Sequence, residues 1–287
     1  MGGAMGTLKK PEATALSGLA TLLWRGVSSD DLEMVATQPA IAEALETLGS
    51  SDEWALEHTR VMVRGAMPYA SVFLSDNALQ GGSIGATARV AFEGRGLDAP
   101  DPPDQIGALL GLYARLCTRD RLAAESLWNG HLRPFVAAAL YSIELERSLL
   151  YGAIVEGVRE LLGRNISGFV DGETANPLDD PETGTSELLD WWLAPNNAGW
   201  FLSTARIGAM AGATGFDVGF GDRREMFRTW VLEAQANGSL ATVLDCLDEE
   251  AGRWQAHYET LKVRHWTERI TVNRAVLARV GSKGLPG

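Results

Sequence analysis

The apolar residues of this chain recur at helical spacing along most of its length. Leu16, Leu19 and Leu23 fall three and four residues apart, which places them on one face of a helix that should end near Gly26. Helix-start signals recur as well, and the clearest is the capping box at Ser50–Glu53. No run of alternating polar and apolar residues is convincing as a strand. The pattern therefore predicts an all-α protein.

The same signals place further helices. Asp101 is positioned to cap a helix whose first turn holds Pro102, while Asp104 would complement the positive end of the helix dipole. Longer helical stretches are expected over 131–162 and from 240 to about 280 because apolar residues keep their helical spacing there.

One segment, 171–185, concentrates proline, glycine and acidic residues and is the clearest linker in the sequence. It has few apolar groups to offset the entropy of ordering, so we expect it to be mobile. We predict an N-terminal helical subdomain over 1–97, a second helical subdomain over 98–170 and a C-terminal helical extension over 186–280.

Charge and composition narrow the class of partner. The 287 residues are 46% apolar and carry a net charge of −12, which argues against nucleic acid and anionic membranes and suits a positively charged partner. The longest apolar run is too short to span a bilayer. Residues 1–6 lack the apolar core of a signal peptide and are expected to form a flexible leader. A cytoplasmic location without membrane insertion is therefore predicted.

Groups that could carry catalysis or bind a metal are sparse. Cys117 and Cys246 are far apart and belong to no paired motif, so buried, reduced thiols are expected. His257 and His265 lie two turns apart on one predicted helix, too far for a two-ligand metal site. Because no nucleophile–base pair or acid–base pair is recognisable, we expect neither an enzyme nor a metalloprotein.

Two segments stand out from the helical pattern. Met67–Leu74, closed by Gly81–Gly82, places an aromatic ring and a hydroxyl between two helices. Asp98–Gln105 is rich in proline and aspartate and precedes a strongly apolar helix. Each has a purely structural interpretation, because Pro68 can end a helix, Tyr69 can fill a core, and the second segment can start a helix.

Together these segments resemble the TorD/DmsD/NarJ family of redox-enzyme maturation chaperones, best over residues 50–165. The first is similar to the family's Pro-Tyr-x-Ser-Val-Tyr pattern. The second is similar to its Glu-Pro-Asp-His motif, with Pro102 or Pro103, Asp104 and Gln105 at the matching positions. Glutamine replaces the family's usual histidine, so a titrating role is not expected there, whereas hydrogen bonding is retained. His131–Phe135 resembles the family's His-Leu-x-Pro-Trp, with an expected packing role.

The resemblance implies a TorD-like helical bundle in two subdomains. It also implies a chaperone that binds the twin-arginine signal peptide of a molybdoenzyme catalytic subunit before export, without a cofactor, as a monomer or a subdomain-exchanged dimer. The implied peptide-binding residues, on a groove between the two helical parts, are Pro68, Tyr69, Ser71, Phe73, Pro103, Asp104 and Gln105.

A third segment has the composition of an anion site. Gly219 and Gly221 lead into a helix start that carries Arg223 and Arg224, where free amides and guanidinium groups could meet a phosphate. Asp222 already supplies a helix cap, and no Gly-Lys-Ser/Thr ending follows. Two alternatives to the chaperone stay open. One is an assembly factor that binds GTP or molybdopterin guanine dinucleotide here, and the other is a helical scaffold without a peptide site.

Overall fold

The computed structural model describes residues 8–166 and 174–287. Within these ranges the chain forms α-helices together with short 3-10 and π-helices, and no β-strand. One isolated antiparallel bridge joins Tyr69 to Gln105. The all-α prediction is confirmed for this part of the chain. The predicted leader at 1–6, the end of the second subdomain at 167–170 and the start of the linker at 171–173 lie outside the described residues.

Contacts divide the chain into two units. The first contains Met1–Val72 and Leu79–Ile166, and the second contains Phe73–Ala78 and Ser167–Gly287. The predicted subdomain boundary after residue 97 falls inside the first unit. Of the helices in the described ranges, none combines the length and the apolar character needed to cross a bilayer.

The helices of the first unit come from ten α-helical segments, of which α5 continues into the second unit. They are α1 Lys10–Arg25, α2 Leu32–Val35, α3 Pro39–Leu48, α4 Ser51–His58, α5 Ala70–Leu74, α6 Gly82–Glu93, α7 Ile106–Cys117, α8 Arg121–Leu127, α9 Val136–Leu145 and α10 Leu149–Leu162. Two π-helices, Thr59–Gly65 and Trp128–Leu132, follow α4 and α8, and 3-10 turns occupy Ser29–Asp31 and Gly163–Ile166.

The core of the first unit forms where α1 packs against α7 and α10. Glycine makes the α1–α7 approach close: a Cβ on Gly107 would lie 2.5 Å from the Ala20 carbonyl oxygen and 2.6 Å from the Trp24 amide nitrogen. A Cβ on Gly157 of α10 would lie 3.0 Å from Leu19 Cδ1. Leu19 is 2% exposed, so the face of α1 that carries it is buried against the two neighbouring helices.

The predicted start of α7 was wrong. Asp101 was expected to cap the helix, but α7 begins at Ile106 and the capping side chain is that of Gln105. The Asp101 side chain is 91% exposed. Asp104 serves a different helix, as described below, so only Gln105 is free to accept from the first N–H groups of α7.

Two long predicted helices are interrupted. The stretch 131–162 breaks between α9 and α10 at Arg147, and the C-terminal stretch breaks at Lys262. Both residues adopt the left-handed conformation, with φ of 54° and 57°. Non-glycine residues reach this region only at an energetic cost, so helical spacing of apolar residues did not reveal either break.

In the described part of the second unit, six further α-helices follow residue 174. They are α11 Thr185–Leu193, α12 Pro195–Ala198, α13 Thr204–Ala213, α14 Arg223–Ala236, α15 Leu240–Leu261 and α16 Arg264–Lys283. Its core is aromatic, and Trp192, Trp200, Trp230, Trp254 and Trp266 are each at most 1% exposed. Phe73 belongs to this core, with ring centroids 5.6 Å from Phe201 and 6.4 Å from Trp266.

The described part of the predicted linker is fixed by local bonds. A 3-10 turn spans Pro177–Asp179, and the Asn176 side chain accepts a hydrogen bond from the Leu178 N–H at 3.0 Å. The Thr183 hydroxyl donates to the Pro177 carbonyl, and Asp179 pairs with Arg279 at 2.9 Å. These bonds oppose motion of residues 174–184, whose predicted mobility stays a prediction.

Candidate functional site

The two motif segments of the first unit lie side by side. Tyr69 and Gln105 form the antiparallel bridge, and the Ala70 N–H donates to the Asp104 carbonyl at 2.9 Å. Residues 33 to 36 positions apart in sequence are thereby adjacent, because the chain passes through α6 between the two segments. The proximity of Tyr69, Asp104 and Gln105 that the sequence predicted is present in the structure.

The Asp104 carboxylate is buried and serves another segment of the chain. Its Oδ2 accepts from the Ser71 N–H at 2.9 Å and from the Ser71 hydroxyl at 2.5 Å. The Ser71 hydroxyl oxygen in turn accepts from the Gly81 N–H at 2.9 Å. Burial, followed by the charge of Asp104, raises the pKa of Tyr69. Asp104 therefore joins the first turn of α5 to the start of α6 rather than presenting a carboxylate to solvent.

Helix starts explain how this buried carboxylate is tolerated. The Ser71 N–H belongs to the first turn of α5, and a Cβ on Gly85, in the first turns of α6, would lie 3.8 Å from Asp104 Oδ1. The N-terminus of α5 directs the Ser71 N–H and a partial positive charge toward Oδ2. Oδ1 lies near the start of α6 and has no hydrogen-bond partner. A buried charge needs such partners, since removing it from water is costly.

All seven residues predicted to bind peptide are buried. Tyr69 is 8% exposed, Gln105 3% and Asp104 0%. The set comprises Pro68, Tyr69, Ser71, Phe73, Pro103, Asp104 and Gln105. In this conformation they form packed structure, and the Asp104 carboxylate is out of reach of an arginine on a ligand. A direct peptide contact through these side chains stays a prediction.

Gln105 connects two helices through one amide. Its Oε1 accepts from the Gly107 N–H at 2.5 Å and from the Ala108 N–H at 3.2 Å, which caps α7. Its Nε2 donates to the Leu23 carbonyl at 2.8 Å. That carbonyl lies in the last turn of α1, where intrahelical donors run out. The hydrogen-bonding role expected of Gln105 is confirmed.

An open groove runs along α1 and α7 in the first unit, with a volume of about 1100 Å³. We call it the α1–α7 groove. Its residues come from α1, α7, Met34 and the segment that follows α6. They are Ala13, Thr14, Ser17, Gly18, Thr21, Trp24, Met34, Phe92, Gly96, Leu97, Asp98, Ala99, Pro100, Ala108, Gly111, Leu112, Ala114, Arg115, Thr118 and Arg119.

Small side chains create this groove. On α1, Thr14, Gly18 and Thr21 share one face at helical spacing, and Gly111 faces them from α7. Larger apolar groups stand at the edges, where Trp24 is 40% exposed. The carboxylate of Asp98 adds a negative charge, whereas Arg115 and Arg119 line the part of the groove near the end of α7. Such a surface can accept an apolar segment with charged flanks.

The groove was not predicted from the sequence. The stripe of small residues on α1 was the available signal, because Thr14, Gly18 and Thr21 leave space wherever a neighbouring helix does not fill it. In the sequence the same residues are indistinguishable from a close helix contact, which Gly107 does make. Only the three-dimensional packing separates Gly107, which contacts the backbone of α1, from Gly18, which lines the groove beside Met34, with its Cβ position 3.2 Å from Met34 Sδ.

The segment predicted as an anion site is a turn followed by a helix cap. The Asp222 carboxylate accepts from the Arg224 N–H at 2.8 Å and from the Glu225 N–H at 3.0 Å. Arg224 pairs with Asp190 at 3.3 Å. The Gly219 N–H donates to Asp217 at 3.0 Å. The first amides of α14 therefore already have an anion, supplied by the chain itself.

Arg223 is packed against its own unit. Its guanidinium lies 4.6 Å from the Phe201 ring centroid and donates to the Leu193 carbonyl at 2.9 Å. Burial of the guanidinium lowers the pKa of Arg223 to about 10. Gly221 leads into the capped helix start, and the buried Nη1 of Arg223 has no hydrogen-bond partner. Anion binding by Gly219, Gly221, Arg223 and Arg224 stays a prediction.

The remaining reactive groups serve packing or lie apart. Phe135 is fully buried, as expected for a packing role, and the half-buried His131 has its pKa lowered by burial and by Arg95. Burial also raises the pKa of the free thiols Cys117 and Cys246, which are half-buried. Over residues 8–166 and 174–287, no three His, Cys, Asp or Glu side chains are grouped as metal ligands.

Comparison with protein families, with curated proteins and with solved structures gives no match to this chain.

Proposed function

We propose that this protein binds an apolar, helix-forming peptide in the α1–α7 groove, as a chaperone for a partner protein. The motif resemblance gives the finer form of the proposal. The first unit would correspond to a TorD-like bundle, and the ligand to the twin-arginine signal peptide of a molybdoenzyme catalytic subunit in the cytoplasm. The observation that carries the proposal is the open groove of about 1100 Å³.

The shape of the groove suits a helix. An amphipathic or apolar helix binds by laying one face into a hydrophobic groove, with anchors at i, i+3, i+4 and i+7. The faces of α1 and α7 present Thr14, Gly18 and Gly111, whose small side chains allow a ligand helix to approach. Trp24 presents a partly exposed aromatic ring. Tryptophan is one of the residue types that most often contribute a large share of the binding energy at an interface.

The charge of the protein suits a basic ligand. The chain carries a net charge of −12, and the groove itself carries the Asp98 carboxylate together with Arg115 and Arg119 near the end of α7. Two arginines that precede an apolar stretch would gain from a carboxylate at the groove and from the overall field. In this proposal the buried Tyr69–Asp104 pair supports the groove structurally, and the contacts come from groove residues instead.

The test fills the groove and measures peptide binding. Gly111→Leu adds a large side chain at a residue that lines the groove, where a Cβ alone makes ordinary contact, 3.8 Å from Ala20 Cβ. The matched control is Gly152→Leu on α10, whose Cβ position has no atom within 4 Å. The probe is a synthetic peptide with two adjacent arginines followed by roughly 15 leucine and alanine residues, about four helical turns. Calorimetric titration gives the affinity.

We expect Gly111→Leu to weaken binding at least about tenfold, equivalent to roughly 1.4 kcal/mol, while Gly152→Leu binds like the wild type. Trp24→Ala should weaken binding by about 1–3 kcal/mol through loss of an aromatic anchor. A peptide with the same composition but with its arginines placed last tests the order of charge. Equal affinity of Gly111→Leu and the wild type would contradict the proposal.

A further inference from the structure

The α1–α7 groove depends on how closely its two helices are held at one end. At the start of α7, Gly107 lies against the backbone of α1, with its Cβ position 2.5 Å from the Ala20 carbonyl oxygen. Gly111, one turn later, already has ordinary space, since its Cβ position is 3.8 Å from Ala20 Cβ. The spacing of the groove is therefore fixed where α7 begins.

The Gln105 amide lies at that same end. One oxygen caps α7 through the Gly107 and Ala108 N–H groups, and one NH₂ group donates to the Leu23 carbonyl of α1. Both attachment points adjoin groove residues, because Trp24 follows Leu23 and Ala108 itself lines the groove. The side chain is 3% exposed, so water does not compete for these bonds.

We infer that Gln105 is a positioning residue for the α1–α7 groove, which sets the place of Trp24 relative to α7 and so controls peptide affinity without touching the peptide. The inference rests on the proposed function for the peptide part, and on hydrogen bonds of the first unit for the geometric part. It gives the Asp104–Gln105 motif a role in binding that agrees with its burial.

One substitution separates the link from the cap. Gln105→Glu keeps an oxygen acceptor for the Gly107 and Ala108 N–H groups, and a negative charge at a helix start is favourable. It removes the NH₂ donor to the Leu23 carbonyl and places two acceptors opposite each other. The α7 helix should therefore persist while its attachment to α1 is lost. Gln235→Glu on α14, an exposed site, makes the same chemical change as a control.

The readout follows Trp24 as well as affinity. Protein containing 5-fluorotryptophan gives a fluorine resonance for each tryptophan, and Trp24→Phe assigns the one that belongs to the groove. We expect Gln105→Glu to shift the Trp24 resonance in the unbound protein. We also expect it to weaken binding of the arginine–leucine peptide roughly five- to thirtyfold, the range for losing one or two buried hydrogen bonds. Gln235→Glu should change neither quantity.

A second variant acts on the same contact by a different route. Gly107→Ala adds a methyl group within 2.6 Å of two α1 backbone atoms, which must move the helices apart. It should shift the Trp24 resonance and weaken binding even if Gln105→Glu does not fold, and Gly152→Ala serves as its control.

The outcomes are distinguishable. An unshifted Trp24 resonance in both variants would overturn the positioning role, as would unchanged peptide affinity in both alongside a shifted resonance. If the wild-type protein does not bind the peptide, the proposed function fails. The Trp24 resonance then decides the geometric part alone, since a shift in Gln105→Glu supports the link and its absence refutes it.

Discussion

The two units of this protein fill their interiors in different ways. The second unit holds six of the nine tryptophans: Trp191, Trp192, Trp200, Trp230, Trp254 and Trp266. Five of them are at most 1% exposed. The first unit instead brings α1 and α7 together through glycine and small side chains and leaves a groove of about 1100 Å³ open. Tryptophan in the first unit includes Trp24, which is 40% exposed.

The packing of the second unit favours stability, whereas that of the first unit leaves a surface that a ligand can occupy. Buried aromatic rings remove large apolar areas from water and leave little room for a ligand. Small residues contribute less burial, but they permit close helix contact in one place and an open surface in another. We therefore assign the candidate binding surface to the first unit and expect the second to be the more sensitive to core substitutions.

The largest effect should come from the aromatic core of the second unit. Trp266 is fully buried and stacks on Tyr258 at 5.8 Å between ring centroids. Trp266→Ala should lower the free energy of unfolding by about 3–5 kcal/mol, since a large cavity replaces the ring. Trp24→Ala should lower it by less than about 1 kcal/mol, because its ring already contacts water. Urea unfolding followed by circular dichroism measures both, and equal losses would break the comparison.

A smaller effect is expected at Asp104 in the first unit. Asp104→Ala leaves the buried Ser71 N–H and hydroxyl without their acceptor, so the free energy of unfolding should fall by about 2–3 kcal/mol. Asp101→Ala is the control, since its exposed carboxylate pairs with Arg89 only at 3.7 Å, and it should cost less than about 0.5 kcal/mol. A stable Asp104→Ala protein with weakened peptide binding would instead favour direct contact with the ligand.

The smallest effect concerns acid. Burial lowers the pKa of His58, whose Nδ1 lies 2.6 Å from the Tyr151 hydroxyl, and of His131. Because the folded state favours the neutral rings, protonation favours unfolding. The stability of the first unit should therefore fall as pH drops below 6.5, the usual histidine pKa. Burial raises the pKa of Glu250 in the second unit. The contribution of Glu250 to stability therefore has the opposite pH dependence and decreases as pH rises.

The acid effect is measured as the urea midpoint at pH 7.5 and pH 5.5, with hydrogen exchange to assign it to a unit. A variant with leucine at both His58 and His131 should lose the dependence in the first unit. If protection at pH 5.5 decreases mainly in α15 of the second unit, which carries Glu250, the assignment of the acid effect to the first unit is wrong.

Local signals predicted much of the fold. Gly26 ends α1 and the capping box at Ser50–Glu53 starts α4, as the sequence indicated. Each of these features depends on residues a few positions apart, so the local sequence is enough to predict it. Arg147 and Lys262 interrupt helices with positive φ although neither is glycine or proline, so no local signal in the sequence marked these breaks.

The candidate site was predicted only in part. That Tyr69 lies near Asp104 and Gln105 was expected from the motif resemblance, and in the structure Tyr69 and Gln105 form an antiparallel bridge. Their burial did not follow, since an aspartate such as Asp104 is usually exposed unless partners surround it. The partner of Asp104, Ser71 in the first turn of α5, is brought to it by the fold from 33 residues away. The groove was not predicted because it depends on which small side chains the neighbouring elements leave uncovered, and only the three-dimensional packing determines that.

The position of Asp104 and Gln105 has a consequence for the order in which the chain can fold. Asp104 completes a segment that begins 33 residues earlier at Ser71, and Gln105 completes the end of α1, 82 residues earlier at Leu23. Closing loops of this length costs entropy before any contact repays it. During synthesis, the first hundred residues must therefore wait for these two side chains, and α1 remains without its partner helix until the ribosome has released the start of α7.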